Sequence, residues 1–162
     1  MKNTLFFLML IIGIGISNAQ IVVTQGISPV SGVQNVLLGS GVTISNIQYS
    51  GVANSFGTFT TGSTPTNLGL TNGIVMSSGL VSEAAGAVSD FASTSNGTGS
   101  DPQLAGLVTQ DVEDAAVLEF DFIPLSDTVQ FRYVFGSEEY PEFVGDSFND
   151  AFGFFISGPN PF

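Results

Sequence analysis

Apolar and polar residues alternate most regularly between residues 114 and 122, where Leu118, Phe120 and Phe122 fall on one side and Val117, Glu119 and Asp121 on the other. That two-residue period predicts a half-buried strand. Pro124, Leu125, Ser126 and Asp127 then turn the chain, and Val129, Phe131, Tyr133 and Phe135 resume the apolar face. A hairpin is expected, with Arg132 on its outer face able to pair with Glu119 or Asp121. The run 148–156 places Phe148, Phe152, Phe154 and Ile156 on one side and Phe155 on the other. Apolar residues on both faces predict a central strand covered on each side.

The earlier chain gives shorter elements. Residues 21–24 read as a first strand or as the tail of a flexible entry. Val33, Val36 and Leu37 before Gly39 suggest a short helix over 31–38. Val42, Ile44 and, after a shift in phase, Ile47 and Tyr49 predict a strand. A short strand is expected around Phe56 and Phe59 within a Gly-, Ser- and Thr-rich stretch. Thr71, Asn72 and Gly73 read as a tight turn before a strand over 74–79. Residues 89–100 form a long polar loop, and Asp101-Pro102 supplies a cap and first position for a helix over 103–108. Many short strands with Gly-rich turns make the fold class mostly β, a jelly-roll-like β-sandwich with one or two short helices.

Residues 1–19 stand apart. Lys2 precedes an apolar run from Leu5 to Ile16, and Ser17, Asn18 and Ala19 close it with small residues. This is the layout of a secretory signal peptide cut after Ala19. A transmembrane anchor is the rival, but spanning takes about 20 apolar residues. The mature part, residues 20–162, suits one domain, secreted or at the cell surface, with no direct membrane insertion. Without cysteine it must rely on its core, a bound ion or a neighbouring domain.

Charge sharpens this picture. Once Lys2 is removed, Arg132 is the only base against fourteen acids, and every acid lies at or beyond Glu83. Nucleic acid and anionic membrane surfaces are poor partners for such a chain. The absence of His and Cys closes the usual zinc, copper and haem sites and the Ser-His-Asp and Cys-His nucleophiles. Oxygen ligands remain, and they suit calcium. The connection 138–150 gathers Glu138, Glu139, Glu142, Asp146 and Asp150 with Asn149, and Gly145 allows a bend. A calcium site built from Glu138, Glu139, Asp146, Asn149 and Asp150 is one reading, and a solvated acidic loop is the other.

Tyr140, Glu142 and Phe143 are candidate contacts for a ligand, although the two rings equally suit a small core beneath the loop. Catalysis by paired carboxylates would need Glu139 with Glu142 or Asp146, because adjacent Glu138 and Glu139 diverge on an extended chain. No residue pattern raises either carboxyl's affinity for protons, and Trp is absent as a sugar platform. The chain is therefore read as non-enzymatic. The Asn96-Gly97-Thr98 sequon carries weight only in a eukaryotic secretory route.

Several stretches together resemble the bacterial choice-of-anchor L domain. They are 35–42 (Asn-Val-Leu-Leu-Gly-Ser-Gly-Val), 46–51 (Asn-Ile-Gln-Tyr-Ser-Gly) and 68–79 (Leu-Gly-Leu-Thr-Asn-Gly-Ile-Val-Met-Ser-Ser-Gly). More specific are 114–124 (Asp-Ala-Ala-Val-Leu-Glu-Phe-Asp-Phe-Ile-Pro) and the region from Phe135-Gly136-Ser137-Glu138-Glu139-Tyr140 through Asn149-Asp150 to Ser157-Gly158-Pro159. The resemblance implies a domain of exported proteins from mainly Gram-negative bacteria, held at the surface or released by varied sorting signals. It implies adhesion or extracellular assembly with an extracellular protein or glycan as partner, and it brings no catalytic residues. A carbohydrate-binding module is the alternative. The family domain looks longer than this chain, so the expectation is an N-terminal portion of a larger protein.

Overall fold

The computed structural model describes residues 21–62, 66–85, 89, 91–141, 143–146 and 150–159. The proposed signal peptide therefore lies outside the described residues, as do Glu142, Phe148 and Asn149. In chain order the elements are β1 (Val22–Gln25), α1 (Pro29–Gly32), β2 (Val42–Ser50), β3 (Phe56–Thr60), β4 (Asn72–Met76), α2 (Pro102–Ala105) and β5 (Val117–Pro124). A π-helical turn (Val33–Leu37) follows α1, and 3-10 turns cover Ala53–Ser55 and Val81–Ala85. The strands form two antiparallel sheets, one ordered β1-β3-β4 and one pairing β2 with β5. The mostly β class with a few short helices holds.

Local chemistry explains most element ends. Helix α1 begins two residues earlier than the apolar spacing suggested, because Ser28 caps it and Pro29 fills its first turn. The Ser28 hydroxyl accepts from the Ser31 amide at 3.2 Å. Asp101 caps α2 in the same way, accepting from the Gln103 and Leu104 amides at 2.9 Å each. The phase shift expected in β2 is a bulge: Ser45 faces Asp121 and Gln48 faces Glu119. Asn46 sits within it at φ 52°, and its amide donates to the Asp121 carboxylate at 2.5 Å. Short polar side chains such as Asn accept this left-handed conformation more readily than most.

The core gathers around β3. Val33, Phe56, Phe59 and Val81 are buried, with Phe56 only 1% exposed. The Phe56 ring lies edge-on to Tyr49 at 5.2 Å between centroids and presses on Gly32, where a Cβ would come within 2.8 Å. Burial pushes the Tyr49 phenol above its ordinary pKa, despite the opposing hydrogen bond with Ser55 at 2.5 Å. Gly73 is no turn residue. It pairs with Phe59 inside the β3–β4 ladder, and a Cβ there would come within 2.8 Å of the Phe59 ring. Glycine is needed for close approach, and the Asn-Gly signature misleads at this point.

The C-terminal aromatic runs depart most from expectation. β5 pairs with β2, and residues 128–137 and 150–159 are not strands. Phe131, Tyr133, Phe135, Phe152, Phe154, Phe155 and Ile156 are all exposed. The central-strand reading of 148–156 is thus corrected, since nothing among the described residues covers those rings from outside. Arg132 also finds a different partner: its guanidinium donates to the Gly69 carbonyl at 2.5 Å, while Asp121 is taken by Asn46.

Candidate functional site

The exposed rings form an ordered ridge. Phe131 packs on Phe154 at 4.8 Å, and Tyr133 stacks on Phe152 at 5.1 Å and 26°. Phe135 also stacks on Phe152 at 5.9 Å, and Phe122 of β5 meets Phe131 edge-on at 6.1 Å. A step of two residues forward on one segment matches a step of two back on the other. The segments therefore run side by side, extended and antiparallel, with one row of rings on a shared face. They keep the side-chain pairing of a hairpin, yet no backbone hydrogen bond joins them among the described residues.

At the end of the ridge the chain turns through the acidic loop. The Phe143 amide donates to the Glu139 carbonyl and the Asp146 amide to the Phe143 carbonyl, both at 2.9 Å. The Tyr140-Pro141 peptide is cis, and Gly145 takes φ 88°. Glu138 and Glu139 are half-buried, Asp146 and Asp150 exposed. Desolvation, then the charges of Asp150, Glu138 and Asp146, raise the Glu139 pKa above its ordinary value. Four of the sequence-predicted carboxylates thus share one electrostatic neighbourhood.

They do not form a ligand cage. Among the described residues no three carboxylates come close enough to hold a metal ion together. Asn149 and Glu142 fall outside those residues. Glu138 is also partly engaged, because its carboxylate accepts a hydrogen bond from the Ala92 amide. Of the candidate ligand contacts, Tyr140 is 73% exposed and Phe143 is half-buried.

Three acids pin the long polar loop after residue 89, a role its composition did not suggest. Glu83 accepts from the Thr94 hydroxyl at 2.8 Å, and Glu138 holds Ala92. Asp114, at φ 53°, accepts from the Ser95 hydroxyl at 2.9 Å and the Thr98 amide at 2.8 Å. The Ser95 bond, together with the Thr98, Asn96 and Gly97 amides, holds the Asp114 carboxyl below its usual value against a smaller opposing effect of desolvation. Asn96 donates its side-chain amide to the Ser78 and Gly79 carbonyls. That nitrogen is the atom a glycan would occupy, so the sequon residue serves as an internal tie.

Two shallow clefts flank these features. One, about 270 Å³, lies between Leu68, Leu70 and the ridge residues Phe131 to Val134, with Arg132 reaching across it. The other, also about 270 Å³, is polar and lined by Ser50, Thr98, Ser100, Asp101 and Glu119. The aromatic alternation places the first cleft's rings in a core, and no sequence signal marks the second, whose residues lie far apart in the chain.

Comparison with known proteins decides the family. The family model described as the choice-of-anchor L domain matches residues 22–161. The chain belongs to that family. No curated protein and no solved structure matches it significantly. The match takes in both sheets, the ridge and the acidic loop of this choice-of-anchor L domain, and family membership makes it an exported or cell-surface domain. No helix of the described residues is long and apolar enough to cross a membrane.

Proposed function

We propose that this choice-of-anchor L domain is a non-enzymatic binding domain, working in bacterial adhesion or extracellular assembly after removal of a signal peptide at Ala19. The observation that carries the reading is the ridge of exposed, mutually stacked rings ending in the acidic loop. Contiguous apolar surface rimmed by polar groups is typical of a contact site. The residue inventory agrees, because a chain without His or Cys lacks the commonest nucleophile activators. Binding of the purified protein to whole cells and to host matrix proteins tests the proposal, alongside hydrolysis assays on a glycan panel. Adherence without turnover is expected, and turnover would refute it.

Calcium enters this proposal as a stabiliser of the rim. Glu139 is repelled by three neighbouring carboxylates, and a divalent cation would reverse the sign of that interaction. Glu138, Glu139, Asp146 and Asp150, which form no cage as they stand, would have to draw together to supply oxygens, with Asn149 as the fifth. Melting with calcium and with chelator is the check. An unchanged midpoint at millimolar calcium removes the cation from the account.

The second reading, carbohydrate recognition, is favoured by the polar cleft, where the hydroxyls of Ser50, Thr98 and Ser100 stand beside the carboxylates of Asp101 and Glu119. Such groups are the hydrogen-bonding partners that sugars use. Glycan-array binding abolished by Glu119→Ala, with cell adherence lost in parallel, would move the function to that cleft.

A further inference from the structure

Residues 129–135 and 150–156 combine three properties. Their rings line one face at alternate positions, their backbone polar groups form no ladder among the described residues, and their shared end is anionic. Exposed rings at a period of two offer pockets to every second side chain of an added strand, and unpaired N–H and C=O groups offer it main-chain partners. The carboxylates of Glu139, Asp146 and Asp150 set the sign of what lies at one end of that strand.

We propose that the ridge and acidic rim together form a docking surface for an extended segment of a partner polypeptide, apolar at alternate positions and bearing Lys or Arg at the end that meets the rim. The proposal rests on the reading of the chain as a binding domain and names its partner's chemistry. A second copy of the chain is the wrong occupant. It brings fourteen acids and only Lys2 and Arg132 as bases, and Arg132 is bonded to the Gly69 carbonyl. An anionic lipid surface is wrong for the same reason of charge.

Two labelled synthetic peptides test this, sharing one alternating valine–threonine body and ending in three lysines or in three glutamates. Fluorescence anisotropy with the purified protein should give the lysine peptide an affinity about tenfold higher at low salt, the sum of a few exposed charge pairs. Salt at about 0.15 M should narrow that ratio. Hydrogen exchange should show new protection at 129–135 and 150–156. The E139Q/D150N double variant should lose the lysine preference and keep binding of the shared body. Equal binding of both peptides, protection elsewhere, or ridge protection that grows with protein concentration and no peptide would overturn the proposal. If neither peptide binds while cells or matrix proteins still do, the docking chemistry is wrong and the binding-domain reading stands. Loss of every interaction, with turnover of a substrate, would sink both.

Discussion

Phe56→Ala and Phe154→Ala separate the two aromatic regions by their cost. Phe56 is 1% exposed and packed between Gly32 and the Tyr49 ring. Its removal leaves a closed cavity, and buried Phe→Ala changes cost about 3–5 kcal/mol. Phe154 is 53% exposed and has one ring partner among the described residues, Phe131. Only about half of the usual 1.5–3 kcal/mol of ring burial is at stake there, so roughly 1 kcal/mol. The lost ring pair adds about 0.5–1 kcal/mol, and no cavity forms because the site opens to water. The expected total is about 1.5–2 kcal/mol, well below the Phe56 figure. Urea unfolding followed by far-UV circular dichroism and tyrosine fluorescence measures both, since the chain has no Trp. The slope against urea should stay constant if unfolding remains two-state. A Phe154→Ala cost equal to or above that of Phe56→Ala would refute the placement of the core around β3, and the ridge would then be interior rather than contact surface.

Other outcomes follow from the same geometry. Glu139 has a raised folded-state pKa, so its contribution is fully favourable below the ordinary carboxylate pKa and is lost as pH rises through the raised value. Glu139→Gln should therefore raise the melting temperature at neutral pH and low salt, with no gain in acid; in calcium, the same change should shrink any calcium-dependent rise. Asp114 behaves oppositely: its depressed pKa gives stability above the ordinary carboxylate pKa that is lost as pH falls through the folded value. Asp114→Asn should speed amide exchange at residues 96–98 near neutrality, and a wild-type rate there would dismiss the tie. Gly57→Ala should destabilise by about 1–3 kcal/mol, because its Cβ would lie 2.7 Å from the Thr24 carbonyl oxygen in the adjacent strand and a backbone atom cannot swing aside. Arg132→Ala, removing one exposed hydrogen bond to Gly69, should cost about 1 kcal/mol or less in thermal or urea melts.

The legible part of the fold was the part written in local chemistry. Asp101-Pro102 announced α2 because a carboxylate before proline satisfies orphan amides wherever it occurs. The alternation in 114–122 announced β5, and the stumble in phase between Ile44 and Ile47 announced its partner's bulge. Partner choice was not local. The strand after Pro124 was expected to close a hairpin, yet β5 pairs with β2 across a long intervening stretch, with Asn46 and Asp121 joined over it. The acidic run could be read from the sequence as a group of charges, but which acids carry structure could not. Glu83, Asp114 and Glu138 bind a loop whose own sequence has little to hold it.

An apolar period states which side chains share a face; it does not state what that face meets. Phe56 and Phe59 on β3, three residues apart, and Phe131 and Tyr133 on the ridge, two apart, are equally aromatic in the sequence. The first pair is buried because α1, the turn at Val33–Leu37 and the turn at Val81–Ala85 pack against its sheet. The second pair meets its antiparallel neighbour and, at Phe131, the edge of Phe122, contacts that leave the two rings 37% and 67% exposed. Water in contact with that much ring surface is unfavourable, and the exported domain retains it beside a run of like charges that would otherwise be cheaper to disperse. Both costs fall together when one extended, cation-bearing strand is laid along the ridge. A partner lacking either the apolar alternation or the terminal cations would relieve only one of them, which is why the lysine and glutamate peptides must differ in affinity if the surface is what it is argued to be.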